Sequence, residues 1–310
     1  MTIRILSTSP LVGDYVKDLG NRFPELTIAP FRSAEWMYGL TSAEAVIVML
    51  SESITEFDLK LAPKLKVIGT YSVGINHLPI QACKDKKIQV VNTPGVLTNA
   101  TADLALAMLL SLTRRIKDGE ELARSGNWGG WAHDQILGAS VAGKVCGIVG
   151  SGSIGKAFAK RAVALDMKPV FWAREDQTPV YFDDGLVAPR LPLNELLQKS
   201  AVVSLHCPLT AETRGLISRE RLQLLPLGAF IINTARGGIL DEDAAIDMLN
   251  NDILGGVGLD VYEKEPHINP RWFSAPRTVI LPHLGSATVE TRSDMAKLLC
   301  DGIISIIENN

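Results

Sequence analysis

"KVCGIVGSGSIGKAFAKRAVALDMKPVFWARED", residues 144–176, decides the fold. It opens on an apolar run, 144–149, of the kind that forms a strand buried on both faces. The hexapeptide Gly150-Ser151-Gly152-Ser153-Ile154-Gly155 follows, then a stretch at 153–165 with helical character, then a second apolar run at 169–172. Strand, glycine loop, helix and strand in that order predict a βαβ unit. The first glycine permits a tight turn, the second lets backbone approach a pyrophosphate, and the third lets helix and strand pack closely. The helix N-terminus would present free N–H groups and the positive end of its dipole to the phosphates. Residues 150–155 are therefore candidate contacts to a dinucleotide.

The end of the second strand discriminates between dinucleotides. An acid that accepts the ribose 2′-hydroxyl of NAD is expected about 20 residues beyond the glycines. Ala173 and Arg174 stand there, with Glu175 one place late. Alanine accepts no hydrogen bond, whereas a guanidinium pairs well with a 2′-phosphate. NADP is the expected cofactor. NAD remains open through Glu175, and a solvent-facing Arg beside a Glu is the plain alternative.

The alternation extends to both sides of this unit. Apolar runs at 3–6, 45–50, 65–70 and 88–91 precede it, and others at 201–205, 229–232, 256–259 and 278–281 follow it. Such runs, spaced by helical lengths, predict two α/β units in tandem, each with a parallel sheet. Between them, residues 100–126 read as one long helix with Thr101 and Asp103 near its start and Gly126 as its stop. Its first half is apolar nearly all round, a sign of deep burial or of a subunit interface. A Trp- and Gly-rich loop follows it.

The chain has 310 residues, 46% hydrophobic and 21% charged, with net charge −3. This is the balance of a globular protein long enough for two domains. It supplies no electrostatic case for nucleic acid or an anionic membrane. The longest apolar run, 102–112, falls short of the roughly 18 residues of a membrane span. Four scattered cysteines, with no C-x-x-C pair and no apolar leader, point to a reduced, cytoplasmic protein. The five histidines form no H-E-x-x-H and no other metal-binding spacing, and G-x-S-x-G is absent. No metal is expected.

Three polar residues lie just past apolar strands: Arg236, Glu265 and His283. Strand carboxyl ends are where open α/β sheets place ligands. Together these residues suit reduction of a 2-oxo acid. Arg236 would clamp the carboxylate and carbonyl oxygen, and His283 would protonate the developing alkoxide. Glu265 would hold His283 in one tautomer and raise its pKa. Taken singly, each residue also fits an ordinary exposed or capping role.

The words "YSVGINHLP", "VNTPGVLTNATADLALAMLL", "HCPLTAETRGLIS", "NTARGGILDEDA", "GGVGLDVYEKEP" and "LPHLGSATVETR" occur in that order over residues 65–300. With them the sequence resembles the D-isomer-specific 2-hydroxyacid dehydrogenases, and within them the NADPH-preferring glyoxylate/hydroxypyruvate reductases. The resemblance implies a flavodoxin-like substrate domain, 1–98 plus 284–310, and a Rossmann dinucleotide-binding domain, 99–283. It places the family's catalytic residues on Arg236, Glu265 and His283. It puts substrate contacts on Ser72, Val73 and Gly74, joined by Arg236 and His283. Cofactor contacts fall on Thr101, Arg174, Cys207, Pro208, Thr213, Thr234, Ala235, Asp260 and Gly285 as well as the glycine loop. It also implies a homodimer that the helix from residue 100 and the Trp128/Trp131 loop help to form. A bulkier 2-oxo acid, of the hydroxyphenylpyruvate or 2-ketogluconate type, is the alternative substrate. A non-catalytic nucleotide-sensing corepressor is the alternative function.

Overall fold

The structure is a computed structural model, and it describes residues 3–13, 15–174 and 178–308. The chain divides into two compact units, residues 1–97 with 286–310, and residues 98–285.

The first unit contains β1 (Arg4–Ser7), α1 (Tyr15–Arg22), β2 (Glu25–Ile28), α2 (Ala34–Leu40), β3 (Ala45–Met49), α3 (Glu56–Leu61), β4 (Val67–Tyr71), α4 (Ile80–Asp85) and β5 (Gln89–Val91). The strands are all parallel in the order β2-β1-β3-β4-β5. This is the flavodoxin-like order. β3 and β4 are almost wholly buried, as their continuous apolar runs require. β2 was not expected. It is an edge strand with mostly exposed residues, so no buried run announces it. The C-terminal helix, Val289–Glu308, buries Met295, Leu299, Cys300 and Ile303. Gly69 of β4 makes room for it, since a Cβ there would sit 2.7 Å from the Ile303 side chain.

The second unit contains α5 (Thr98–Thr113), α6 (Ile116–Arg124), β6 (Val145–Val149), α7 (Ser153–Ala164), β7 (Lys168–Trp172), β8 (Val180–Tyr181), β9 (Val187–Ala188), α8 (Leu193–Lys199), β10 (Val202–Leu205), α9 (Arg219–Leu222), β11 (Ala229–Asn233), α10 (Glu242–Asn250), β12 (Leu254–Leu259) and β13 (Thr278–Ile280). Six parallel strands run in the order β13-β12-β11-β10-β6-β7, and β8 and β9 form a small antiparallel pair. One apolar cluster joins α5 and α7 through Ala105, Met108, Phe158 and Ala162. Another joins α8, α9 and α10 through Leu196, Leu222 and Leu249. Helices thus cover the sheet with two separate cores, the doubly wound arrangement. The strand order reverses at β6, whose neighbours are β7 and β10, and ligands of open α/β sheets bind at such a point.

The expected long helix over 100–126 is two helices. Arg115 takes a left-handed conformation, φ 51°, between α5 and α6. The Thr113 carbonyl that a continuing helix needs instead accepts the Ala139 N–H at 2.7 Å. Gly138 lets that segment approach, because any Cβ there would strike the Thr113 carbonyl oxygen. The Thr113 hydroxyl also bonds back to the Leu109 carbonyl at 2.9 Å. α5 buries Thr101, Ala102, Ala105, Met108, Leu109 and Leu112 at helical spacing. Leu104, Leu106 and Leu110 remain partly exposed, and α6 has no buried residue.

Candidate active site

The glycine loop bridges β6 and α7 at the reversal point. Gly150 has φ 112°, and a Cβ on it would meet Cys207 N and His206 C at 2.7 Å. Only glycine fits both demands. The Gly150 N–H donates to Trp172 O at 2.8 Å, and the His206 N–H donates to Val149 O at 2.8 Å, so the loop is tied to β7 and β10. Gly155 is buried, and a Cβ there would strike the Gly150 carbonyl oxygen. Gly152 differs. It caps α7 with no side-chain bond and has no atom within 4 Å of its missing Cβ. The first turn of α7, Ser153 to Gly155, then offers N–H groups that a helix leaves unpaired. In the same unit the buried Thr234 hydroxyl has no partner among the described residues. An open glycine, free helix amides and an orphaned hydroxyl fit a phosphate-bearing ligand.

Ala173 and Arg174 follow β7, as expected. Arg174 Nη1 donates to Glu212 Oε2 at 3.0 Å, and the Thr210 hydroxyl donates to the same oxygen at 2.6 Å. The Thr210 bond, the local backbone and the Arg174 charge hold the Glu212 carboxyl below its usual range. Glu175 lies outside the described residues. Thr213 is turned inward. Its hydroxyl accepts Thr210 N–H at 2.7 Å and donates to Pro208 O at 2.6 Å, which fixes the loop after β10. Burial pushes the Cys207 thiol up to about 11, so it is not a nucleophile at neutral pH. Burial also pulls His206 down to about 3, leaving a neutral ring 2.8 Å from the Ser204 hydroxyl.

The polar trio occupies the ends of β11, β12 and β13 or the loops beyond them. Asn233 closes β11 as a clasp: its Oδ1 accepts Ala235 N–H at 3.0 Å and its Nδ2 donates to Arg236 O at 2.9 Å. Arg236 Nη1 donates to Ala235 O at 2.6 Å. Burial lowers the guanidinium's pKa, and the nearby Glu265 charge opposes this. Glu265 Oε1 accepts Tyr262 N–H at 3.0 Å, and Oε2 lies 2.7 Å from His283 Nδ1. Burial works to raise the Glu265 carboxyl. The His283 bond and charge, the Tyr262 amide and Arg236 outweigh it and hold it below its usual range.

His283 has a left-handed backbone, φ 58°, which histidine visits more readily than most residues. The chain on either side of it is clamped. Tyr262 OH donates to Leu281 O at 2.8 Å. Asp260 accepts Leu284 N–H at 2.6 Å on one oxygen and Gly285 N–H at 2.8 Å on the other. The Thr101 hydroxyl donates to Gly285 O at 2.9 Å. Burial raises the Asp260 carboxyl, against these amides and His283. Thr101, Asp260 and Gly285 are thus brought together, as anchors of the histidine loop. Asn233 and Tyr262 were not anticipated as site residues. An Asn at a strand end before a turn is the one signal that could have flagged the first.

In the first unit, the loop after β4 carries Ser72, Val73 and Gly74. The Ser72 hydroxyl donates to Gly74 O at 2.6 Å and bonds Thr70 at 2.9 Å, while Asn92 Nδ2 donates to Val73 O at 2.8 Å. The Thr93 N–H donates to Ser72 O at 2.9 Å. The loop's carbonyls are engaged, whereas the Val73 and Gly74 N–H groups have no partner among the described residues. Adjacent unpaired amides of this kind suit a carboxylate.

An open cavity of about 580 Å³ lined by Arg214, Lys264 and His267 also lies in the second unit. It includes none of Arg236, Glu265 and His283, so convergent chemistry rather than volume marks the site. Among the described residues, no group of His, Cys, Asp or Glu could share a metal ion, and no helix is long and apolar enough to cross a membrane.

Residues 106–285 match the profile described as D-isomer specific 2-hydroxyacid dehydrogenase, NAD binding domain. A glyoxylate reductase of Thermococcus litoralis is 40% identical over 266 residues, 84% of this chain and 80% of that protein. A crystal structure of a protein from Thermus thermophilus superposes with TM-score 0.92 at 39% identity, covering 99% of this chain and 98% of that one. A glyoxylate reductase from Paecilomyes thermophila gives TM-score 0.89 at 29% identity, covering 99% and 96%.

Proposed function

The chain belongs to the D-isomer-specific 2-hydroxyacid dehydrogenase family, and on that premise we propose that it reduces small 2-oxo acids, glyoxylate and hydroxypyruvate, with NADPH as the preferred cofactor. The hydroxypyruvate product would have D configuration. The observation that carries this reading is the Glu265–His283 pair at 2.7 Å in one unit with a half-buried Arg236. Glyoxylate reductases at 40% identity favour the small substrate.

The second unit would hold the dinucleotide, the Gly152–Gly155 amides and the unpartnered Thr234 hydroxyl being the groups suited to its phosphates. A reduced nicotinamide held there would be the source of the hydride for the carbonyl carbon of the acid. Arg236 polarises the carbonyl oxygen and pairs with the carboxylate. His283 Nε2 gives its proton to that oxygen as negative charge develops on it. Glu265, ionised at neutral pH, fixes the proton on Nδ1 and so orients the ring that carries Nε2. In the first unit, the Val73 and Gly74 amides offer a carboxylate grip. Ala173 and Arg174 favour the 2′-phosphate.

The chain would work as a homodimer. Trp128 and Trp131 are 58% and 84% exposed, and both follow α6, which has no fully buried residue. Its four cysteines are free and buried, which suits a reducing cytoplasm.

The test is initial-rate oxidation of NADPH and of NADH with glyoxylate, hydroxypyruvate and hydroxyphenylpyruvate. Turnover of the two small acids, fastest with NADPH, is expected. Turnover of the aromatic acid alone would overturn the substrate class, and an NADH preference would overturn the cofactor.

A further inference from the structure

We propose that Glu212 sets the width of the cofactor preference by competing with the 2′-phosphate for Arg174. The inference rests on the assignment of Arg174 to that phosphate, and Glu212 enters it from a different loop. Arg174 stands at the end of β7, in the place of the missing ribose acid. Its Nη1 is taken by Glu212 Oε2 at 3.0 Å. Glu212 belongs to the loop after β10, the strand on the other side of β6. The carboxylate is held in place: the same oxygen accepts the Thr210 hydroxyl at 2.6 Å, and Thr210 is held through its N–H by Thr213 at 2.7 Å. The guanidinium is close enough to this loop to act on the Cys207 thiol as well.

This arrangement gives Arg174 two possible anionic partners. In the free protein the partner is Glu212. A 2′-phosphate carries between one and two negative charges at neutral pH, and a phosphate seated on Arg174 would lie within one guanidinium's width of a fixed carboxylate. Like charges at that separation repel, so Glu212 must swing out or the phosphate binds less tightly. The ribose of NADH has no such charge and meets no such opposition. Glu212 therefore narrows a preference that Arg174 creates. Both side chains are about half exposed, 47% and 63%, so the effect is modest and weakened by salt.

The experiment is equilibrium binding of NADPH and NADH to the intact protein and to Glu212→Gln, Arg174→Ala and the double variant, at low and high salt. Glutamine keeps the shape and the Thr210 bond but removes the charge. Glu212→Gln should tighten NADPH about fivefold at low salt, less at high salt, and move NADH less than about twofold. The gain should vanish in the Arg174→Ala background. If Glu212→Gln weakens NADPH or leaves it unchanged while Arg174→Ala alone weakens NADPH, the competition is wrong and the NADPH assignment stands. If Arg174→Ala weakens both cofactors alike, or neither, the assignment of Arg174 falls and the competition falls with it.

Discussion

Glu265 Oε2 sits 2.7 Å from His283 Nδ1, while Glu265 Oε1 accepts the Tyr262 amide at 3.0 Å. The carboxylate therefore spans two loops, one beyond β12 and one beyond β13, and sets where the imidazole points. Its pKa is depressed by His283, Tyr262 and Arg236 against the pull of burial. A depressed carboxyl contributes stability that is complete above its unfolded value, near 4.5, and is lost as pH falls through the lower folded value. Glu265→Gln should thus melt below the native protein at pH 7, and the gap should close as pH drops below 4.5. Thermal melts across that range check this. A gap that widens in acid would mean Glu265 is not the ionised partner.

The glycine loop predicts a split between folding and binding. Gly152→Ala meets no atom within 4 Å, so it should melt like the native protein. Its methyl occupies the path of a pyrophosphate, and nucleotide affinity should fall about tenfold or more. Gly150→Ala should instead destabilise the fold, since φ 112° and contacts at 2.7 Å both oppose a side chain. Melting curves and nucleotide titrations of the two variants decide it. Normal nucleotide binding by Gly152→Ala would move the phosphates elsewhere.

Asn92 acts on the loop after β4 through one bond, Nδ2 to Val73 O at 2.8 Å. Asn92→Ala frees that carbonyl and lets the paired amides of Val73 and Gly74 drift. A net hydrogen bond of about 1 kcal/mol corresponds to roughly fivefold. The KM for the 2-oxo acid should rise by about that factor with the cofactor Kd unchanged. Equal changes in both would make Asn92 a purely structural residue.

Trp131 is 84% exposed and follows α6, none of whose residues is fully buried. Replacing Trp128 and Trp131 together by Asp should convert a dimer to a monomer in light scattering, with melting of the second unit little changed. A native mass that is already monomeric would overturn the proposed assembly.

The second unit was the more legible in sequence, for physical reasons. β6, β10 and β11 are buried on both faces, so their apolar runs stand out, and the glycines of 150–155 mark a turn that tolerates little else. β2 escaped notice because an exposed edge strand needs no apolar run, and β8 and β9 because two residues make no pattern. The break at Arg115 was hidden as well. It depends on Ala139 capturing the Thr113 carbonyl, a contact between residues far apart in sequence. The positions of Arg236, Glu265 and His283 beyond strand ends were readable. The clamps that orient them, Asn233, Tyr262 and the two amides on Asp260, were not, because each is a side chain bonding to backbone whose path the sequence does not announce. Glu212 was invisible for a different reason: its partner is the side chain of Arg174, which comes from another loop.

The most direct measurement is the rate of NADPH oxidation by glyoxylate in the native protein and in His283→Ala, with NADPH affinity measured on the same samples. Turnover by the native protein is expected, with a fall of about 10²–10⁴ in kcat for the variant and NADPH affinity close to native. A variant that turns over at the native rate, or a native protein that binds NADPH and reduces no 2-oxo acid, would contradict it.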